Sequence, residues 1–200
     1  MDTAEGRLRL SIEQVGAQVL HQAARAVEPD ELESPDVQRL IELMFATLAG
    51  TGVGLAAPQV GIGLQLVVIA DPAHAQTSQD MELFRLQERV PVPPHVLVNP
   101  VVEVLDAAMA EFFEGCLSVN GYRAIVPRAR AVRVRALDHH GQPVEREASG
   151  WYARIIQHEV DHLAGRLYVE RMLPRTFVNA ASATHWSALP IDEAKRRLGG

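Results

Sequence analysis

Two histidines one helical turn apart place the tightest constraint on how this chain can fold. They lie in the stretch QHEVDHLAG, residues 157–165, as the pattern H-E-x-x-H formed by His158, Glu159 and His162. Side chains at positions i and i+4 share one face of an α-helix, so both imidazoles can reach a single metal ion. Glu159 is rotated away from them and can take a proton from a nearby water molecule. The pattern therefore predicts a helix beside a catalytic metal site, and it leaves the third ligand open.

The same segment predicts how this helix packs. We expect it to begin at Gly150, to run through Leu163 and to end at Gly165, since glycine tolerates the left-handed conformation found at helix ends. At about 100° per residue, one face is apolar and the two histidines lie nearly opposite. The apolar face consists of Ala153, Ile156, Val160 and Leu163. A helix with both features is expected at the centre of the molecule, with strands against both sides.

The rest of the chain predicts an α+β fold in which antiparallel β-strands pack around this central helix. One further helix is expected over Pro35–Ala49, with Ser34 as its N-terminal cap. A proline within a strand pattern marks a bend or an edge, and Pro100 is such a residue. The strands are expected over Gln65–Ala70, His95–Leu105 and Ala129–Asp138.

We predict one domain over residues 1–200, with two weakly patterned segments. Residues 71–94 contain four prolines and are expected to be a loop insertion with a short helix near Met81–Arg89. Residues 174–200 are expected to be a C-terminal tail without strong periodicity.

Composition excludes several classes of function. The net charge of −6 argues against a general nucleic-acid binder, because such proteins are usually basic. No apolar run approaches the roughly 18 residues that a membrane span requires. The N-terminus shows neither an apolar signal core nor the features of a transit peptide, so the expected location is the bacterial cytoplasm. The lone cysteine, Cys116, suits a reducing compartment.

The third ligand can be sought among the patterns that follow H-E-x-x-H in zinc proteases. The position of a third histidine is occupied by Tyr168, and the candidate glutamates further along are Glu170 and Glu193. Cys116 is the better candidate, because a thiolate is a strong ligand for Zn²⁺ and Fe²⁺. A set of one cysteine and two histidines leaves a coordination position open for catalysis.

Three segments in a fixed order resemble the signature motifs of the peptide deformylases. They are GVGLAAPQ at 52–59, EGCLS at 114–118 and QHEVDHL at 157–163. The neighbouring stretch EGCLSVNGYRAIVPR and the RTF of residues 175–177 look closest to the variant shared by mitochondria, plastids and some bacteria. The resemblance implies a metal-dependent hydrolase that removes the N-formyl group from the N-formylmethionine of newly made polypeptides and releases formate.

The resemblance also implies a role for each residue of the motifs. Cys116, His158 and His162 would hold the metal, with Fe²⁺ as the expected ion and Zn²⁺, Ni²⁺ or Co²⁺ as substitutes. Glu159 would act as the general base and then as the proton donor to the leaving amine. The oxyanion would receive hydrogen bonds from the Gln59 side chain and the backbone N–H of Leu117.

A slot for the methionine side chain of the substrate is expected from the same resemblance. The residues expected to form it are Val53, Gly54, Phe112, Trp151, Arg154 and Ile155. Gly52 and Gly54 are expected to let the backbone pass close to the metal and the substrate. Glu114 is expected to anchor an arginine or a ligand histidine from behind.

A run of arginines within the third predicted strand and just before it bears on partners. The favoured interpretation of Arg128, Arg130, Arg133 and Arg135 is a solvated strand face. The alternative is a basic surface that docks on the ribosome near the exit tunnel, where N-formylmethionyl nascent peptides emerge.

Two other functions are compatible with parts of the sequence. A zinc endopeptidase accounts for the H-E-x-x-H pattern alone. A binding protein with a structural metal accounts for the ligands, but not for Glu159, Gln59 and an open coordination position.

Overall fold

A six-stranded antiparallel sheet packs against one central helix in the computed structural model, which describes residues 3–4 and 7–199 and also contains a separate two-stranded sheet near the N-terminus. The strands are β1 (Thr3–Ala4), β2 (Arg7–Leu8), β3 (Gly54–Ala56), β4 (Leu66–Asp71), β5 (Val92–Cys116), β6 (Val119–Leu137), β7 (Pro143–Ser149) and β8 (Val178–Asn179). The helices are α1 (Pro29–Leu32), α2 (Pro35–Leu48), α3 (Ser78–Leu86), α4 (Gly150–Leu163), α5 (Ala180–Ser187) and α6 (Ile191–Leu198). Strands β3 to β7 form the sheet in that order, and β8 pairs with β6. None of the helices described is long and apolar enough to cross a membrane.

Alternation along β4 divides the core into two layers. Leu66 and Val68 point to one face of the sheet and pack in the same cluster as the buried side of α2. Val67 and Ile69 point to the other face and pack with α4. Because successive strand residues face opposite sides, one buried strand serves both layers. The sheet is therefore covered on both faces by helices.

The helix predicted over Pro35–Ala49 is confirmed as α2. Its N-terminus is fixed by Ser34, whose side-chain oxygen accepts a hydrogen bond from the backbone N–H of Val37 at 3.3 Å. Pro35 occupies the first helical position, where no intrahelical donor is needed. The helix face on which apolar residues recur every three or four positions is buried, and Ile41 and Met44 are examples. This helix closes the side of the sheet away from the predicted metal site.

Helix α4 has the predicted boundaries and the predicted central position. It contacts each of the strands from β3 to β7. Ala153, Ile156 and Leu163 are buried in the core, and His162 and Glu159 are buried as well. The α+β fold with antiparallel strands around the H-E-x-x-H helix is therefore confirmed.

The strands predicted around residues 95–105 and 129–138 are parts of a much longer hairpin. β5 and β6 pair from Val98 opposite Leu137 to Cys116 opposite Val119. The register shifts between Val98 and Val101, which places Pro100 at a bulge, as its sequence position indicated. The predicted strands were too short, because most side chains near the middle of β5 are exposed and show no apolar alternation.

The two weakly patterned segments are more ordered than the sequence predicted. The insertion contains α3, which overlaps the short helix expected near Met81–Arg89 but begins and ends a few residues earlier. The tail contains β8, α5 and α6, and Ala194 of α6 is buried against Phe113 and Ile125. Helix α6 carries acidic residues in its first turn and basic residues in its last turn, a charge pattern that favours a helix. The weak apolar periodicity of the tail did not predict these elements, whereas the charge pattern of α6 favours a helix.

A close backbone approach behind α4 gives a test of this packing. Gly165 has φ of +70°, and a Cβ added there would lie 2.8 Å from the backbone carbonyl carbons of His21 and Gln22. Gly50 ends α2 with φ of +75° and has open space at its Cβ position. Replacing Gly50 with Ala should cost about 1–2 kcal/mol of unfolding free energy, from the left-handed backbone alone.

Gly165→Ala should cost clearly more than Gly50→Ala, because it adds the backbone clash. Urea unfolding of the two variants measures the difference directly. Equal losses of stability would contradict the close packing of the α4 end on the segment at residues 21–22.

Candidate metal centre

Cys116, His158 and His162 converge at one point between the hairpin and α4. One ligand atom from each lies within 4.8 Å of the others. The Cys116 Sγ is 3.3 Å from Nε2 of His162, and the two imidazole centroids are 5.0 Å apart. Cys116 ends β5, where the tight turn to β6 holds its side chain toward α4. Cys116 is far from the two histidines in the sequence, and the packing of the β5–β6 hairpin on α4 brings the three residues together.

The donor set fits a divalent transition metal. A thiolate and two imidazoles are ligands that both Zn²⁺ and Fe²⁺ accept. In the part of the chain that the structure describes, no other group of three potential ligands is this close. The alternatives considered from the sequence lie elsewhere: the Tyr168 ring stacks on His158, and Glu170 accepts a hydrogen bond from the backbone of Leu167. Glu193 forms an ion pair with Arg197 of the same helix.

A buried carboxylate orients the first histidine. Glu114 accepts hydrogen bonds from Nδ1 of His158 at 3.0 Å, Nε of Arg128 at 2.8 Å and Nη1 of Arg154 at 2.5 Å. With Nδ1 occupied, Nε2 of His158 is left to face the metal position. Burial alone would raise the pKa of Glu114, but Arg128 and His158 outweigh it and hold that pKa well below its usual range. Glu114 was expected to anchor an arginine or a ligand histidine, and it contacts both kinds of residue.

Arg128 is an interior residue, which the sequence did not reveal. It is 3 % exposed and also donates from Nη1 to Oδ2 of Asp161 at 2.7 Å. Asp161 lies on α4, so this one guanidinium joins β5, β6 and α4. Arg171 also pairs with the Asp161 carboxylate, through two hydrogen bonds of 2.7 and 2.8 Å.

The solvated-face interpretation of the arginine run is therefore wrong for Arg128. Arg130, Arg133 and Arg135 do lie toward solvent, but each has carboxylate partners. Arg130 pairs with Glu88, and the other two pair with carboxylates of β5 and β7, namely Glu103, Glu145 and Glu147. Each exposed arginine of this run therefore has a carboxylate close by that offsets its charge.

Glu159 is a buried carboxylate with an unused oxygen. The residue is 4 % exposed, and its Oε2 has no hydrogen-bond partner among the residues that the structure describes. Burial raises its pKa to about 7, although nearby His158 and Arg128 act in the opposite direction. A Cβ on Gly54 would lie 2.3 Å from Oε1 of Glu159. Only glycine at position 54 leaves room for this carboxylate beside the three ligands.

Gln59 is aimed at the same point by a local hydrogen bond. Its Oε1 accepts from the backbone N–H of Ala56 at 2.9 Å, which fixes the orientation of the amide. Its Nε2 then points to Sγ of Cys116 at 3.4 Å and to Oγ of Ser118 at 3.3 Å. Leu117 lies between those two residues and lines the cleft. Sequence reasoning missed Ser118 as a contact of Gln59, although it belongs to the EGCLS segment.

A cleft of about 400 Å³ opens beside these residues. Val53, Gly54, Trp151, Arg154 and Ile155 line it, as the resemblance led us to expect. Phe112 is not among the residues described as lining the cleft; it packs edge-on against Trp151 with centroids 6.4 Å apart.

Two arginine side chains at the cleft have contacts that were not predicted from the sequence. The guanidinium of Arg154 turns toward Glu114 and the backbone oxygens of Ala110 and Val126. Arg89, from the predicted insertion, lines the cleft and forms a two-bond pair with Asp71 at 2.8 Å. The insertion therefore contributes to the site.

Comparison with known proteins decides the family. The family model for polypeptide deformylase matches residues 9–177. The chain belongs to this family. It is 48 % identical over 179 residues to peptide deformylase 1 of Streptomyces coelicolor, covering 88 % of this chain and 80 % of that protein. It is 43 % identical over 185 residues to the chloroplastic/mitochondrial peptide deformylase 1A of Arabidopsis thaliana, covering 92 % of this chain and 67 % of that protein.

Similarity to a solved structure supports the same family assignment. The class I type b peptide deformylase of Acinetobacter baumannii, determined with Met-Ala-Ser bound, superposes with a TM-score of 0.73 at 36 % identity. The match covers 82 % of this chain and 99 % of that one. The protein is thus a deformylase, a metal-dependent hydrolase that removes the N-formyl group from newly made polypeptides.

The buried ion-pair network gives the second prediction. Arg128→Ala leaves the carboxylates of Glu114 and Asp161 buried without this partner, which should cost about 3–5 kcal/mol of unfolding free energy. Because His158 then loses part of its support, metal affinity should fall by about 10- to 100-fold. Urea unfolding of the metal-free protein and a metal-competition titration measure the two effects separately.

Arg135→Ala is the matched control, since Arg135 lies on the same strand but is largely exposed. Its ion pairs are screened by solvent, so stability and metal affinity should change little. If both variants behaved alike, the buried network would not be what supports the site.

Proposed function

We propose that Cys116, His158 and His162 hold one divalent metal ion and that Glu159 is the general base of the deformylation. The observation that carries this proposal is the position of the buried Glu159 carboxylate beside this cluster, with no partner for its Oε2 within the described part of the chain. A buried carboxylate without a partner is costly, so its retention needs a compensating role. A base within reach of the reacting water supplies that role.

When bound, the ion supplies Lewis-acid chemistry: it polarises the formyl carbonyl and makes water easier to deprotonate. Glu159 takes the proton from the attacking water as the new C–O bond forms. The amide Nε2 of Gln59 and the backbone N–H of Leu117 donate hydrogen bonds to the developing oxyanion. Glu159 then returns the proton to the methionine nitrogen as the C–N bond breaks, which releases formate and a free amino terminus.

We propose that the cleft wall beside Glu159 is the methionine slot. Val53, Trp151 and Ile155 offer apolar surface to the side chain, and Gly54 lets the substrate backbone approach. Arg154 contributes its aliphatic stem, because its guanidinium is engaged with Glu114 behind the wall. Phe112 supports the Trp151 ring from outside the cleft.

We propose Fe²⁺ as the native ion, with Zn²⁺, Ni²⁺ or Co²⁺ able to replace it. The mixed sulfur and nitrogen donors support this set of ions. The proposed substrates are N-formylmethionyl nascent peptides in the bacterial cytoplasm, handled by residues 1–200 as one domain. We also propose contact with the ribosome near the exit tunnel, and the nature of the substrate is what supports it, because the arginines at 128–135 are paired with carboxylates.

The base is tested by formate release from formyl-Met-Ala-Ser, using protein loaded anaerobically with Ni²⁺. Glu159→Gln should lower the turnover rate by about 10²- to 10⁴-fold, the range that general acid–base catalysis contributes. Metal content, measured on the same samples, should stay at one ion per chain.

Glu170→Gln is the control, because Glu170 is a candidate ligand only under the endopeptidase alternative. It should keep wild-type formate release. Cleavage of internal peptide bonds by the wild type, or loss of activity in Glu170→Gln alone, would contradict the proposed assignment.

The proposed ion predicts sensitivity to oxygen. An Fe²⁺-loaded sample should lose activity in air much faster than under argon, because oxidation of the iron or of the ligating thiolate destroys the site. The Ni²⁺-loaded sample should show similar half-lives under both atmospheres. Equal half-lives of the Fe²⁺ sample with and without oxygen would argue against iron as the native ion.

A further inference from the structure

Tyr122, which lines the cleft, stacks on Phe177, and both rings are exposed. Tyr122 and Phe177 lie nearly parallel, with centroids 4.9 Å apart and an interplanar angle of 11°. Tyr122 is 47 % exposed and Phe177 is 39 % exposed, so neither ring is part of the core. Single exposed apolar residues are ordinary on protein surfaces, but a joined pair beside a binding site calls for an explanation.

The stack joins two segments that the catalytic machinery does not use. Tyr122 belongs to the GYR stretch of β6, and Phe177 belongs to the RTF stretch that precedes β8. Pairing of Tyr122 with Asn179 and of Arg123 with Val178 holds the two segments together. The position of the rings is therefore set by backbone hydrogen bonds rather than by contact of the rings alone.

The stack is continuous with the cleft that holds the metal ligands. Tyr122 lines that cleft, together with Asn120, Gly121 and Arg123 on the same strand. Arg123 pairs across the hairpin with Gly115, the neighbour of Cys116. A peptide that leaves the metal centre along β6 would therefore pass over the Tyr122 ring.

We propose that Tyr122 and Phe177 form a platform for an apolar or aromatic side chain at the third residue of the substrate. This inference rests on the proposed function. Side chains alternate along an extended peptide, so the first and third residues face the protein when methionine fills its slot. The second residue then faces solvent. Aromatic rings give such a side chain a large apolar surface and a stacking partner.

The test compares formyl-Met-Ala-Trp with formyl-Met-Ala-Ser. For the wild type, kcat/KM should be about 2- to 10-fold higher for the tryptophan peptide, the size expected from one aromatic contact. Tyr122→Ala and Phe177→Ala should each bring this ratio close to one, whereas Tyr122→Phe should keep it. With formyl-Met-Trp-Ala, which moves the aromatic side chain to the second residue, the variants should not change the preference relative to formyl-Met-Ala-Ala.

Met109→Ala is the control variant, because Met109 is exposed on the hairpin and is not among the residues described as lining the cleft. Its ratio should equal that of the wild type. A role limited to fastening β8 onto β6 would lower the melting temperature of the alanine variants without moving the ratio, and that result would overturn the platform. If one alanine variant did not fold, the other would still decide.

A binding measurement separates this inference from the catalytic proposal. Calorimetric titration of Met-Ala-Trp and Met-Ala-Ser into the Ni²⁺-loaded protein requires no turnover. Tighter binding of the tryptophan peptide in the wild type, and equal binding in Tyr122→Ala, would support the platform even if the assignment of Glu159 failed. Equal affinities for both peptides in the wild type would overturn it.

Discussion

The whole site depends on one buried ion pair, between Glu114 of β5 and Arg128 of β6. Both side chains are almost fully enclosed, and each is costly to bury without the other. Arg128 extends the pair to Asp161 of α4, and Glu114 extends it to His158 of the same helix. The hairpin and α4 are thereby locked in one relative position. Since Cys116 lies two residues from Glu114, that lock also sets the distance between the thiolate and the two imidazoles.

Burial has opposite outcomes for the pKa values of two nearby carboxylates, Glu114 and Glu159. Glu114 is surrounded by cationic donors, and its pKa is held well below the usual range despite burial. Glu159 is the next residue after His158, but no described residue donates a hydrogen bond to its Oε2, and burial raises its pKa to about 7. One carboxylate is held in its charged form beside His158, and the other is the one that we propose exchanges a proton in the reaction. This division of roles follows from the neighbours of each group and not from residue type.

Local patterns in the sequence predicted the parts of this arrangement that depend on nearby residues. Helices α2 and α4, a bend at Pro100 and the cluster of one cysteine with two histidines follow from caps, spacing and donor chemistry. Contacts between distant residues were harder to foresee. Arg128 looks like its exposed neighbours on β6, and only the pairing of β5, β6 and α4 shows that it is buried. Likewise, the exposed middle of β5 carries no apolar alternation, so the length of the hairpin was underestimated. Tyr122 and Phe177 meet only because β8 pairs with β6.

The central claim is that the lone cysteine and the two histidines of α4 hold the metal together. X-ray absorption at the metal edge of the Zn²⁺-loaded protein tests it most directly. The account predicts one sulfur neighbour at about 2.3 Å and two imidazole nitrogens at about 2.0–2.1 Å. Replacing Cys116 with Ser should remove the sulfur shell. A zinc environment with nitrogen and oxygen neighbours alone in the wild type would contradict the account, because Cys116 would then not be a ligand.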